Sequence, residues 1–463
     1  MTLSPEWLSS LPDQTLDGAL ARIAARQPTR EALVDGDRRW TYAELDRLVA
    51  RVAGALQADG LAPGERIGSP LHRTWELPVL FLAVVRAGGI FVPVVPDPSA
   101  EVREALGRMG VRRLVRPGEL PLDGPPLSPS QDPGAICYWN LTSGSTGLPK
   151  AAPTTHAQVH WNTRACLESF RWRPDERYLC LFAPFAHPHE HWARPLTTGG
   201  TCVMGPASRP KAVLALLRRH RVSWLFAVPS TVRQLAREAD QPLPDLRVVE
   251  TGGALVEPAL VHLAEERLGA QVMPIWGCTE ATGVVLHVPP WDPDRDLESL
   301  GRPLAHYDVR VLAPDAVSAV GELVLAGPAV VSGYESDADP DRFVDGRYWT
   351  GDLVRAAPRG HFHFAGRRQD VIKVAGLKVY LGEVERLMRR HPGIADVAVV
   401  PARDEVRSEV PRAVVVAGDP ALTPERVARW CREHLRPEQR PRRIELRSEL
   451  PRGPTGKLDR RRL

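Results

Sequence analysis

Metal-type and disulfide-type cysteine spacing is missing from this chain: the six cysteines, at positions 137, 166, 180, 202, 278 and 431, contain no Cys-x-x-Cys pair. Neither a zinc knuckle nor a disulfide framework is signalled, so a reducing cytosol is the default compartment. Long apolar runs are missing too. The longest, Leu77 to Val85, stops at Arg86 and is too short to span a bilayer. A basic start followed by an apolar core is also absent, since Glu6 and Asp13 fall among the first residues, and no signal peptide is expected. Excess charge of one sign is lacking as well. A formal charge of +4 over 463 residues gives no electrostatic case for a nucleic-acid partner. Arginine is massed only near the end, at Arg440, Arg442, Arg443, Arg447, Arg452, Arg460, Arg461 and Arg462. A solvated face is the ordinary reading of such a cluster, and an acidic partner the other. Together these absences predict a soluble cytoplasmic protein with no membrane partner. Its length exceeds a single core, so at least two domains are expected.

What is present begins with the stretch Leu141-Thr-Ser-Gly-Ser-Thr-Gly-Leu-Pro-Lys150. Gly144 and Gly147 tolerate the φ > 0 conformations by which backbone N–H groups converge on an anion. Thr142, Ser143, Ser145 and Thr146 add hydroxyl donors, and Lys150 adds a mobile positive charge. The combination suits a polyphosphate. It is not the common P-loop, in which Lys and Ser/Thr follow the glycine and open a helix. Here Leu148 and Pro149 separate Gly147 from Lys150. The competing reading is a polar turn.

Elsewhere the pattern alternates. Thr41 and Glu44 make a capping-box signature. A helix is expected over Glu76 to Ala87 and a buried strand over Ile90 to Val95, where Pro93 predicts a sheet edge or an early end to pairing. The strand Ala135 to Trp139 delivers the polar loop, and a helix is expected over Ala157 to Ser169. Later strands, Leu246 to Thr251 and Val272 to Trp276, end at Gly252-Gly253-Ala254 and Gly277-Cys278-Thr279-Glu280. Such alternation predicts α/β layers with a parallel component, where ligands bind beyond the carboxyl ends of strands. From Gly301 short β segments punctuated by Gly and Pro predict a small β-barrel or sheet. Residues 366 to 373 read as a linker, and a compact α+β pattern closes the chain.

Five separated stretches then fall in one order. They are the polar loop, Trp276-Gly-Cys-Thr-Glu280, Trp349-Thr-Gly-Asp-Leu353, Gly366-Arg-Arg-Gln-Asp-Val-Ile-Lys-Val-Ala-Gly376 and Pro454-Thr-Gly-Lys457. This set resembles the adenylate-forming enzymes: acyl- and aryl-CoA ligases, adenylation domains of nonribosomal peptide synthetases, and beetle luciferases. The resemblance implies a layered α/β N-terminal domain with a small β-barrel over 1–366 and a small mobile α+β domain over 367–463, hinged near 367–370. It implies that a carboxylic acid attacks the α-phosphorus of ATP, with Mg²⁺ present, and that the acyl group of the resulting acyl-AMP then passes to a thiol of CoA or of a carrier protein's phosphopantetheine. The alternative is transfer to a non-thiol nucleophile such as an amine.

Residue by residue, the resemblance implies that Thr142, Ser143, Gly144, Ser145, Thr146, Gly147 and Lys150 hold the β- and γ-phosphates. Glu280 would ligate Mg²⁺ and Thr279 would contact the α-phosphate. Trp276 would stack on adenine, where most relatives have Tyr, and Gly252, Gly253 and Ala254 would wall the adenine and acyl pocket. Asp352, helped by Arg367, would take the ribose hydroxyls. Lys457 would bridge the carboxylate and phosphate oxygens, and Lys373 would serve the second half-reaction. Gln369 stands where relatives carry a charged pivot residue. The acyl pocket would include His187, His191, Val228, Gly252, Gly277, Cys278 and Thr282. Amino-acid-activating relatives carry an Asp shortly after the Pro-Phe-x-x stretch, and none lies between Pro184 and Gly199. His187 matches the Pro-x-x-His of acyl- and aryl-CoA ligases, so the resemblance implies an aryl or polar acid and not an α-amino acid. The run His187-Pro-His189-Glu190-His191 is left with three readings. In an extended segment its imidazoles would share one face as a metal site. Otherwise they line a pocket through ordinary hydrogen bonds, or they recognise a polar acyl substituent together with Glu190 or Arg194.

Overall fold

The computed structural model describes residues 4–143, 149–206, 209–313, 319–335, 339–374, 377–404, 408–452 and 458–463. The chain divides into two compact units. One comprises Met1–Asp308 with Leu325–Tyr348, the other Val309–Val324 with Trp349–Leu463.

The first unit holds a nine-stranded sheet. Its central strands run in the order Gln271–Cys278, Val248–Thr251, Trp224–Ala227, Arg177–Cys180, Thr201–Met204 and Glu31–Asp35, all parallel. Antiparallel strands flank them, Gly283–His287 at one end and Arg38–Thr41 at the other. Strands such as Val248–Thr251 are buried along their length, as parallel sheets covered on both faces require. The helices Pro210–Arg219, Pro229–Glu238 and Pro258–Leu268 each open on a proline, whose fixed φ suits the first turn. They bury stripes that include Leu214, Leu217, Val232, Leu235, Leu260 and Val261.

A five-stranded sheet in the same unit runs Arg113–Leu114, Arg66–Ser69, Ile90–Pro93, Ile136–Ser143, Pro149–Thr155. The strand Ile90–Pro93 has a neighbour on each side, so Pro93 marks an early end to pairing and not a sheet edge. The apolar run Leu77–Val85 lies in the helix Glu76–Arg86, buried throughout, and is a core helix. Thr41 and Glu44 form the capping box.

The second unit contains a β-layer drawn from residues 309–312, 321–324, 349–356 and 362–367. A separate five-stranded sheet is built from Val371–Val374, Leu377–Tyr380, Ile394–Asp404, Ser408–Ala417 and Arg443–Arg447. The helices Leu381–Met388 and Pro424–His434 bury Val384, Met388, Val427 and Cys431 against these strands.

Burial keeps several histidines of the first unit neutral. His156 accepts the Leu16 N–H at Nδ1, 3.1 Å, and desolvation pushes His156, His160 and His287 down to about 4. The unfolded chain binds these protons near pH ~6.5, so stability is full above that value and falls as pH drops toward about 4. Urea midpoints measured at intervals from about pH 7.5 to 4.5 should decline through this window. A flat profile down to about pH 5 would contradict it.

Candidate active site

The polar loop hangs from an antiparallel hairpin. Thr142 pairs with Lys150 and Ser143 with Pro149 in register. Gly144, Ser145, Thr146 and Gly147 lie outside the described residues, as do Gly376 and Lys457. The Lys150 side chain is 11% exposed and forms an ion pair with Asp339, whose φ of 54° is left-handed. The Lys150 ammonium also lies 5.6 Å from the Tyr334 ring centroid. Tyr334 packs edge-on against Phe343 at 5.3 Å and donates its hydroxyl proton to Glu280 Oε1. Burial, with the Glu280 charge adding, pushes the Tyr334 phenol well above its ordinary range, so it stays a donor. Lys150, Tyr334 and Glu280 thus form one chain of contacts.

Glu280 sits on the short turn Thr279–Ala281 that follows the strand Gln271–Cys278. The turn is fixed at both ends. The Glu280 carbonyl accepts the Val331 N–H at 2.8 Å. Thr282, fully buried with φ 61°, donates its hydroxyl to the Ala329 carbonyl at 2.6 Å. Trp276 and Cys278 are half-buried, and Gly277 is exposed. A Cβ on Gly277 would stand 2.1 Å from the Gly283 carbonyl oxygen, and one on Gly252 would stand 2.4 Å from that of Ile275. Both glycines are demanded by backbone approach. Gly253 has φ 79°, with Phe182 against it; Ala254 is exposed and Val228 half-buried at the end of its strand.

The histidine run is a helical turn, Pro188–His191, and not an extended segment. The one-face metal reading needed extended geometry. Among the described residues no group of three or more His, Cys, Asp or Glu could hold a metal ion. His187 is half-buried with Nδ1 3.3 Å from Asn140 Nδ2, while His189 and His191 are buried. Desolvation lowers both of the latter below the ordinary histidine range, so they are neutral.

Arg194 and Glu250 complete a cluster with Glu190. Glu190 and Arg194 stand one helical turn apart in sequence, a legible signal, and Glu250 is a lone charge inside the apolar strand Val248–Thr251. Burial raises both carboxyls, but for Glu190 the Arg194 guanidinium and the neighbouring histidines together hold the group below its usual value. Burial wins at Glu250, which is raised. Tyr334 and Asp339 carried no sequence signal, because they lie in an aperiodic stretch.

In the second unit Asp352 and Arg367 face each other across an antiparallel pair, with Nε 3.2 Å from Oδ1. Lys373 is exposed and registers opposite Lys378.

An α/β sheet whose strand ends carry an anion-type loop, a lysine and a nearly buried carboxylate has the build of an adenylate-forming enzyme. The chain belongs to the AMP-binding enzyme family, matching it over residues 20–120 and 116–335, with the C-terminal domain of AMP-binding enzymes matched over 383–457. It is accordingly an AMP-forming ligase. It is 33% identical to triostin synthetase I of Streptomyces triostinicus, over 95% of this chain and 92% of that one. It is 32% identical to a feruloyl-CoA synthase of an Amycolatopsis species, over 96% and 98%. The solved amide bond synthetase McbA of Marinactinospora thermotolerans superposes with a TM-score of 0.85 at 29% identity, over 96% and 98%. Among the described residues no helix is long and apolar enough to cross a membrane.

Proposed function

We propose that this ligase activates an aryl or polar carboxylic acid lacking an α-amino group, and passes it to a thiol of CoA or of an acyl or peptidyl carrier protein in the cytoplasm. The observation that carries the ATP-binding part is the contact chain Lys150–Tyr334–Glu280, which joins the loop suited to phosphates to a nearly buried carboxylate. Glu280 fits Mg²⁺, a cation that prefers hard carboxylate oxygen; the ion would neutralise phosphate charge. Thr142 to Gly147 and Lys150 would hold the β- and γ-phosphates, Thr279 the α-phosphate, and Trp276 the adenine. Asp352 and Arg367 would take the ribose. Lys457 would serve the first half-reaction and Lys373 the second, with the pivot near 367–370 dividing the domains. His187, His191, Val228, Gly252, Gly277, Cys278 and Thr282 would surround the acyl group.

The second reading, transfer to an amine, is favoured by Gln369 at the pivot and by the likeness to the amide bond synthetase. ATP–pyrophosphate exchange with pooled aryl, aliphatic, dicarboxylic and amino acids tests the first step without an acceptor. Exchange is expected with aryl or polar acids and not with α-amino acids. Exchange with α-amino acids alone would overturn the substrate class.

A further inference from the structure

Tyr334 touches two groups of opposite charge. Its ring centroid stands 5.6 Å from the Lys150 ammonium, and its hydroxyl donates to Glu280 Oε1. Among the described residues no other hydrogen bond or ion pair reaches the Glu280 carboxylate, so Oε2 is the unengaged oxygen. Glu280 is 7% exposed, and Oε2 holds part of that surface, since it is not among the buried atoms left without a partner.

The segment carrying Tyr334 is fastened on both sides. Toward the hairpin, Glu335 gives its N–H to the Ala151 carbonyl at 3.0 Å, and its carboxylate accepts from Arg66 Nη2 at 3.2 Å. The Val330 carbonyl accepts from Gln158 Nε2 at 3.1 Å, on the helix that follows the hairpin. Toward Glu280, the Val331 N–H and the Ala329 carbonyl hold the turn Thr279–Ala281 and Thr282 behind it. The ring itself is set edge-on by Phe343, which packs on the buried Tyr348 at 5.1 Å. A hydroxyl held this firmly orients the carboxylate that accepts from it, as hydrogen-bond partners of metal-ligating carboxylates do.

We propose, on the ATP-binding reading above, that Tyr334 is a positioning residue that makes Glu280 a one-oxygen ligand and so fits the site to Mg²⁺ better than to Ca²⁺. Oε1 is occupied by the phenol, and Oε2 alone is left for a cation. Mg²⁺ demands octahedral geometry, keeps several waters and takes one or two carboxylates, whereas the larger Ca²⁺ readily accepts both oxygens of one carboxylate. A carboxylate with one oxygen committed suits the first ion and is poor for the second. The same ring, together with Asp339, gives the Lys150 ammonium partners other than Glu280. Neither charge is then cancelled by the other, and each is kept for its own part of a metal–polyphosphate.

Calorimetric titration of the full chain with ATP in Mg²⁺, in Ca²⁺ and in chelator tests this without turnover. The wild type should bind ATP more tightly with Mg²⁺ than with Ca²⁺. Tyr334→Phe keeps the ring, its packing on Phe343 and the seat of Lys150, and loses only the hydroxyl. Its Mg²⁺ advantage should fall by roughly 10-fold, the lower end of what partners of metal ligands contribute to metal affinity. Affinity in chelator should stay unchanged, which a general loosening of the segment would not allow. Equal wild-type affinities in the two ions, an undiminished advantage in Tyr334→Phe, or a fall in its chelator affinity would each overturn the positioning role alone. Glu280→Gln is the control: wild-type metal dependence in that variant would overturn the cation reading of Glu280 and the role of Tyr334 with it.

Discussion

Arg194→Met should cost about 3–5 kcal/mol of folding stability, the usual result of removing one partner from a buried ion pair. The reason is arithmetic of charge. Glu190 and Glu250 are 4% and 0% exposed, and Arg194 is the cation that both contact. Methionine fills similar space among the rings of Phe170, Trp172, Tyr178 and Phe226 but leaves two carboxylates facing each other in a medium that screens them little. Part of the loss is relieved by proton uptake, so the deficit should shrink as pH falls toward 5. Adding Glu190→Gln and Glu250→Gln to Arg194→Met should recover most of the stability, because a neutral cluster no longer needs a cation. Urea unfolding measures all of this. A loss under about 1 kcal/mol, or no recovery in the triple variant, would mean that the guanidinium acts through packing alone.

Lys457→Ala should reduce adenylate formation by roughly 10²–10³-fold, by analogy with removing one donor to a transition-state oxyanion. The residue lies outside the described part of the chain, and the expectation rests on its Pro-Thr-Gly-Lys context and the family match through 457. ATP binding followed by equilibrium dialysis should change far less than exchange, since the contact is needed where charge develops. Lys373→Ala supplies the contrast: exchange should be spared and acyl transfer slowed. An unchanged exchange rate in Lys457→Ala would remove the lysine from the chemistry. A fall in exchange for Lys373→Ala would remove the division of labour between the two.

Most of the fold was legible because its signals are local. Alternating apolar runs and helical stripes gave the parallel strands, and Thr41 with Glu44 gave a cap that the structure forms. Pro93 was half legible: a missing N–H says that pairing stops, not whether a neighbour lies beyond. The histidine run leaves its three readings open in the sequence, because period alone cannot tell a short helical turn from a strand, and the helical turn removes the extended metal reading. Glu250 is silent in the sequence for a different reason. A single charge in a strand has no local meaning until Arg194, 56 residues away in sequence, is folded against it. Tyr334 and Asp339 are of the same kind, joined to Glu280 and Lys150 by tertiary structure only.

The glycines at 252, 277 and 283 have a consequence for how substrate choice can drift. At 252 and 277 a Cβ would meet the backbone of a neighbouring strand, and at 283 it would meet the Glu190 and Asn162 side chains on a backbone with φ 138°, so a side chain at any of the three is strained. Three of the positions nearest the strand ends are thereby closed to selection on specificity, however much a new acid might reward change there. Variation is channelled instead to positions that already carry side chains and are not fully buried, Val228, Ala254 and His187. Descendants of this enzyme with altered acid preference should differ at those places first, over an unaltered glycine framework.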